Sequence, residues 1–62
     1  MSDFLRTVLK MPNDSYLAVV DHTIVAETPD RTVAIERATT SGPTDIPYRC
    51  YGDEELVWSA RG

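Results

Sequence analysis

The sequence predicts an α+β fold, in which a mainly antiparallel sheet of three or four strands packs with one central helix and a short N-terminal helix. Two observations predict it. Residues 16–20 and 23–27 are apolar, β-branched runs separated by two polar residues, which is the pattern of a β-hairpin. Residues 28–30, Thr-Pro-Asp, then carry the chemistry of a helix start. At 62 residues, the chain is expected to form one domain over residues 1–62.

The hairpin is the core of the predicted sheet. Its first strand, Tyr16–Val20, is apolar on both faces, so we expect it to lie in the middle of the sheet. Asp21 and His22 form the expected two-residue turn, because both residue types tolerate a positive φ better than most. The usual glycine of such turns is missing. The second strand, Thr23–Glu27, resumes the apolar pattern.

The helix is predicted from Arg31 to Thr39 or Thr40. Thr28 is expected to cap its free N–H groups and Pro29 to occupy its first position. Asp30 would place a negative charge at the positive end of the helix dipole. Gly42 is expected to close the helix in a left-handed conformation. The helix would pack on the sheet through one narrow apolar face, made of Ala34, Ile35 and Ala38.

The N-terminal segment carries an apolar stripe at helical spacing. Ser2 and Asp3 can cap a short helix, and Pro12 would stop it. We therefore predict a helix over residues 4–11 that covers one end of the sheet. The alternative is an extra edge strand, because every second residue from Phe4 to Lys10 alternates between apolar and basic: Phe4, Arg6, Val8 and Lys10. The stripe consists of Phe4, Leu5, Val8 and Leu9.

The C-terminal third predicts one strand and a possible second. Ile46–Tyr51 is expected to form the third strand, near an edge because Pro47 cannot donate a backbone hydrogen bond. If it ran parallel to the second strand, the crossover through the helix would be right-handed. Residues 52–55 form a polar turn, and residues 56–59 are either a fourth strand or a docked tail.

Charge and size limit the classes of function. The formal net charge is -4, which disfavours direct binding to nucleic acid and to anionic membranes. No apolar run approaches the ~20 residues that span a bilayer. The single cysteine, Cys50, excludes an intramolecular disulfide and fits a reducing, cytoplasmic environment. Because so small a domain usually needs a disulfide, a structural metal or a partner subunit for stability, we expect self-association, with a homodimer as the simplest form.

The candidate contact residues are three aromatic residues and one arginine. Tyr48, Arg49, Tyr51 and Trp58 combine the residue types that are enriched in protein-binding hot spots. In a chain of this size, the same aromatic side chains can instead be the hydrophobic core. We therefore predict a non-enzymatic protein–protein interaction module whose contact surface includes these four residues, with the core as the alternative role.

The acidic turn supports a second function. Asp53, Glu54 and Glu55 could present a negative surface to a basic protein, as small phage-encoded inhibitors that mimic nucleic acid do. Together with Asp45 they lack the regular spacing of a calcium loop, so no metal or other cofactor is predicted.

A Cys–His enzyme is the third class that the sequence raises. Histidine titrates near neutral pH, so His22 could act as a base for a nucleophilic Cys50. No third orienting group or oxyanion site accompanies the pair. We therefore predict no catalysis, with His22 as an exposed turn residue and Cys50 as a small buried hydrophobic residue.

Overall fold

The structure, a computed structural model, describes residues 3–62. Four antiparallel strands form one sheet in the spatial order β3-β2-β1-β4, and one helix packs on one of its faces. The predicted α+β class with a mainly antiparallel sheet and a central helix is therefore confirmed. The elements are β1 (Leu5–Lys10), β2 (Tyr16–Val20), β3 (Thr23–Thr28), α1 (Arg31–Thr40) and β4 (Glu55–Arg61).

The predicted hairpin between β2 and β3 is confirmed. Asp21 and His22 both adopt a positive φ, at 52° and 63°, and this is the requirement of a type I′ turn between antiparallel strands. The backbone N–H of Asp21 donates to the carbonyl oxygen of Leu5 at 3.0 Å. The turn is thus fixed without glycine, partly because the neighbouring strand holds it.

The predicted N-terminal helix is wrong. Most of that segment is β1, and it lies inside the sheet rather than at its edge, with β2 on one side and β4 on the other. Val8 is fully buried toward α1, whereas Leu9 is buried on the opposite face. Apolar residues at positions 4, 5, 8 and 9 satisfy a helical stripe, but they equally supply both faces of a central strand.

Two β-bulges shape the helix-facing side of the sheet. In β3, Val25 is an extra residue opposite the regular β2 strand, and in β4 Val57 is extra opposite β1. Each bulge turns two consecutive side chains toward the helix, Val25 with Ala26 and Val57 with Trp58. Both outer strands therefore bring more apolar surface to α1 than strict alternation would.

The helix spans Arg31–Thr40 as predicted, but its cap differs. Asp30 is the N-cap, and its Oδ1 accepts from the N–H groups of Thr32 at 2.9 Å and of Val33 at 3.4 Å. Thr28 does not cap the helix, since its hydroxyl accepts from the N–H of Asp30 instead. Pro29 consequently precedes the cap.

The C-terminal end of α1 is held by an arginine from the sheet. The C-cap Ser41 is extended, and no left-handed glycine follows it, so the role predicted for Gly42 is wrong. Arg6 of β1 donates from Nη1 to the carbonyl oxygens of Ala38 at 2.8 Å and Ser41 at 2.6 Å. A cation that bonds the last carbonyls of a helix does the work that a left-handed cap often does.

The predicted third strand is also wrong in its extent. Within Ile46–Tyr51 only Pro47 forms a bridge, antiparallel to Thr23, so there is no parallel crossover. Ile24 donates to the carbonyl oxygen of Ile46 at 2.8 Å. Because Pro47 lacks an N–H, the ladder cannot continue through it. The segment covers the outer edge of β3 and stops there.

Residues 56–59, for which the sequence left a strand and a docked tail as alternatives, belong to a strand. β4 runs from Glu55 to Arg61, pairs with β1 and forms the other edge of the sheet. It is the longest strand of the fold. The polar turn predicted at residues 52–55 precedes it, although Glu55 already belongs to the strand.

Candidate protein-contact surface

The candidate surface lies on the sheet face away from α1. Here Leu9, Leu17 and Val19 form a second buried cluster, separate from the cluster under the helix. The segment 48–54, which we name the strap, links the β3 edge of the sheet to the β4 edge. Tyr48 begins the strap and packs on this second cluster. Through Tyr48 the strap therefore covers part of this face, on which no helix of the described residues packs.

Tyr48 is held through both its backbone and its phenol group. Its backbone N–H donates to the carbonyl oxygen of His22 at 2.9 Å, next to the hairpin turn. Burial, followed by the hydrogen bond and negative charge of Glu54, raises the pKa of its phenol from 10.0 to about 12. Tyr48 thus remains neutral over the physiological range, and its ring serves as packing for the second cluster.

Glu54 closes the strap into a turn. Its carboxylate accepts from the backbone N–H groups of Tyr51 at 2.9 Å and Gly52 at 2.8 Å. The hydrogen bond from Tyr51 contributes most to lowering the pKa of Glu54 from 4.5 to about 2, and the bond from Gly52 adds to it, although partial burial acts against them. Gly52 has a φ of 96°, which a residue with a side chain rarely adopts, so a glycine suits this turn.

Two large apolar side chains, one in the strap and one just after it, remain exposed. The ring of Tyr51 meets that of Tyr48 edge to face, with 6.3 Å between centroids and an angle of 88°, yet 59% of Tyr51 remains accessible. Leu56 lies opposite Leu9 in the β1–β4 register and is 58% exposed. We name Tyr51 and Leu56 the contact patch. Tyr51 contacts Tyr48, which packs on the second cluster, and Leu56 lies opposite Leu9, which belongs to that cluster.

The four aromatic and arginine residues predicted as one surface are divided by the sheet. Trp58 is half-buried on the helix side, where it packs with the cluster around Val8. Tyr48 is half-buried on the other side, whereas Tyr51 and Arg49 are exposed. Tyr48 and Trp58 therefore contribute to the core, on opposite faces of the sheet. Of the three aromatic residues, Tyr51 is the one that remains available to a partner.

The acidic turn is less available than its sequence suggests. Glu54 is turned inward onto the strap, so Asp53 and Glu55 are its exposed carboxylates. Within residues 3–62 the only ion pair is between Lys10 and Asp14, at 3.3 Å. No group of acidic, histidine or cysteine side chains in that range is arranged to hold a metal ion.

Cys50 and His22 occupy separate roles. Cys50 is exposed, so its predicted burial is wrong, and its Sγ donates to Glu54 Oε1 at 3.4 Å. His22 is an exposed turn residue, as predicted. No hydrogen bond joins the two side chains, and the described part of the chain encloses no cavity. None of its helices has the length and apolar character to cross a membrane.

Sequence reasoning missed two features of this region. One is the inward role of Glu54, which a Gly-Asp-Glu run between two apolar segments could have indicated as a side-chain-closed turn. The other is the free edge of β4. Its seven residues are flanked by a glycine turn and by the C-terminal glycine, but the pattern alone does not give their neighbours.

Comparison of the chain with models of protein families, with curated proteins and with solved structures gave no match.

Proposed function

We propose that this chain is a small non-enzymatic protein–protein interaction module of the cytoplasm that self-associates and binds another protein through its contact patch. The observation that carries the proposal is the exposure of Tyr51 and Leu56 beside a buried apolar cluster. Exposed large apolar side chains next to a rigid, packed base are typical of binding surfaces.

The support for Tyr51 comes from the way it is held. Glu54 fixes the backbone of the strap on either side of the tyrosine, and Tyr48 supports its ring. A pre-ordered aromatic side chain loses little conformational entropy when a partner buries it. The strap therefore positions Tyr51 as an anchor for a protein surface.

The acidic-inhibitor hypothesis has weaker support. Of its three carboxylates, Glu54 is committed to the strap, which leaves Asp53 and Glu55 for a basic partner. Two exposed charges make a small negative surface, and salt at physiological strength screens it over about 8 Å. The contact patch is the better candidate because its apolar area needs no counter-charge.

The test is capture from lysate of the native host with immobilised protein as bait. Wild-type bait is compared with Tyr51→Ser and Leu56→Ser, and Val33→Ser serves as a control at an exposed apolar side chain of the helix, on the other side of the sheet. We expect partner capture that persists at high salt and is lost in the two patch variants. Capture that survives both patch substitutions but disappears at high salt, or on Asp53→Lys and Glu55→Lys, would instead favour the acidic hypothesis.

A further inference from the structure

The two edges of the sheet differ, because the β3 edge is covered by another segment and the β4 edge is not paired with another strand. The outer edge of β3 is covered where Ile24 bonds to Ile46 and where Thr44 donates from its hydroxyl to the carbonyl oxygen of Ile24 at 2.7 Å. β4 forms the opposite edge, and no other strand of residues 3–62 pairs with its outer side. An uncovered edge strand presents backbone donors and acceptors to another strand.

The outward-facing backbone groups of β4 can be assigned. Phe4 and Gly62 exchange both of their backbone hydrogen bonds, at 3.4 and 3.2 Å. Antiparallel pairs alternate between bonded and non-bonded, so the pair of Leu5 with Arg61 and that of Thr7 with Ser59 are non-bonded. The N–H and C=O groups of Ser59 and Arg61 therefore point away from β1, toward the free edge.

From this edge we infer that β4 pairs antiparallel with β4 of a second copy of the chain, so that two four-stranded sheets join into one continuous sheet. The inference rests on the self-association in the proposed function and gives its mode. Ser59 would lie on the two-fold axis and exchange both backbone hydrogen bonds with Ser59 of the second copy.

The side chains of β4 complement a second β4. In this register the large Trp58 lies opposite the small Ala60 of the second copy, and both side chains belong to the helix side of the sheet. Ser59 and Arg61 lie on the other side of the sheet, and both side chains are exposed.

The bulge at Val57 limits where the pairing can occur. Bulges at an edge usually discourage pairing, and the carbonyl oxygen of Val57 already accepts from Arg31 at 3.4 Å. The regular stretch from Trp58 to Arg61 lies beyond the bulge and contains both residues whose backbone groups are free. A two-fold axis at Ser59 uses this stretch.

The joined sheet would also present both contact patches together. A two-fold axis perpendicular to the sheet keeps the helices of both copies on one side and the two patches on the other. Because Leu56 belongs to β4 itself and lies three residues from Ser59, the two patches would lie on either side of the axis, on the same face of the joined sheet. A bivalent partner would then bind through two linked sites.

The test compares Ser59→Pro with Ser59→Ala by sedimentation equilibrium over a wide range of protein concentration. Proline removes an N–H that points to the free edge, so the pairing of β4 with β1 is kept. We expect a dimer of the 6.9 kDa chain for the wild type and Ser59→Ala. Ser59→Pro should dissociate about 30-fold more readily, as expected from the loss of two hydrogen bonds.

A charge pair makes the test independent of any strain that proline introduces. Ser59→Lys and Ser59→Asp each place like charges at the two-fold axis and should be monomeric alone, whereas an equimolar mixture should form a heterodimer. A wild-type dimer that Ser59→Pro and the charged variants leave intact would overturn edge pairing while self-association stands. A wild type that is monomeric throughout would overturn both, and the capture experiment with the contact-patch variants would then decide partner binding separately.

Discussion

Arg6 and Ala38 join the sheet to the helix, since the Arg6 Nη1 atom donates to the Ala38 carbonyl oxygen at 2.8 Å. The same nitrogen reaches the Ser41 carbonyl oxygen at 2.6 Å, and Nε donates to the Gly62 carbonyl oxygen at 3.0 Å. One side chain of a central strand therefore binds the end of the helix and the residue that follows β4.

Replacement of this arginine should destabilise the fold measurably. Arg6→Met keeps much of the aliphatic packing but removes the hydrogen bonds to the helix end. We expect a loss of about 2 kcal/mol in the free energy of unfolding, because charged hydrogen bonds to partly buried carbonyls are worth roughly that much. Urea denaturation measures it, with Arg49→Met as the exposed control. A loss no larger than that of the control would mean that water replaces the guanidinium without cost.

The second apolar cluster should contribute to stability although no helix covers it. Leu17 is 3% exposed, so Leu17→Ala is expected to lower the free energy of unfolding by about 3 kcal/mol. Leu56→Ala on the same face should change it by less than about 0.5 kcal/mol, since that side chain is largely exposed. Thermal or urea unfolding of the two variants compares them directly. Equal effects would show that the strap does not exclude water from Leu17.

The free energy of unfolding should depend on pH through the protonation of Glu54. Its pKa falls from 4.5 to about 2 on folding, so its contribution is present above about pH 4.5 and is lost as the pH falls toward 2. Glu54→Gln should therefore flatten the decline in unfolding free energy between these values. Asp53→Asn, which removes a neighbouring charge but none of the hydrogen bonds of Glu54, provides the control on the same turn. Parallel slopes for wild type and Glu54→Gln would contradict the closed turn.

The corrected position of the helix cap gives a fourth prediction. Asp30→Ala removes the oxygen that accepts from Thr32 and Val33, so we expect a loss of about 1 kcal/mol in the free energy of unfolding. Thr28→Ala should cost less, because its hydroxyl bonds to the N–H of Asp30 outside the helix. Urea denaturation of both variants ranks them, and the reverse order would restore the sequence-based assignment of Thr28 as the cap.

The hairpin and the helix were predictable because their chemistry is local. Asp21 and His22 are short polar residues between two apolar runs, and Asp30 follows a proline at a helix start. Turn conformation and helix capping depend on neighbours within about four residues, and the sequence displays them. The cap was placed two residues too early because Thr28 and Asp30 are both good capping residues.

The N-terminal strand was not predictable from its own residues. Leu5, Val8 and Leu9 fit a helical stripe and a two-sided strand equally well. What decides between them is pairing with β2 on one side and β4 on the other, and β4 is more than forty residues away in the chain. Such long-range pairing leaves no local signature.

The division of the aromatic residues depends on a single extra residue. Strict alternation would place Leu56 and Trp58 on one face of β4, together with Tyr48. The bulge at Val57 moves Trp58 to the helix side while Leu56 stays on the other. The side chains of residues 56–58 give no indication of a bulge. The sequence-based prediction therefore placed Tyr48 and Trp58 on one surface, although they lie on opposite faces of the sheet.

The position of β1 between β2 and β4 has a consequence for biosynthesis. During translation β1 emerges first and finds β2 soon afterwards, but its other edge stays unpaired until residues 55–61 have left the ribosome. The ladder that closes the sheet joins the two ends of the described chain, so it carries the largest loop-closure entropy of the fold. Nascent chains should therefore remain open, with a vulnerable strand edge, until the last strand is released.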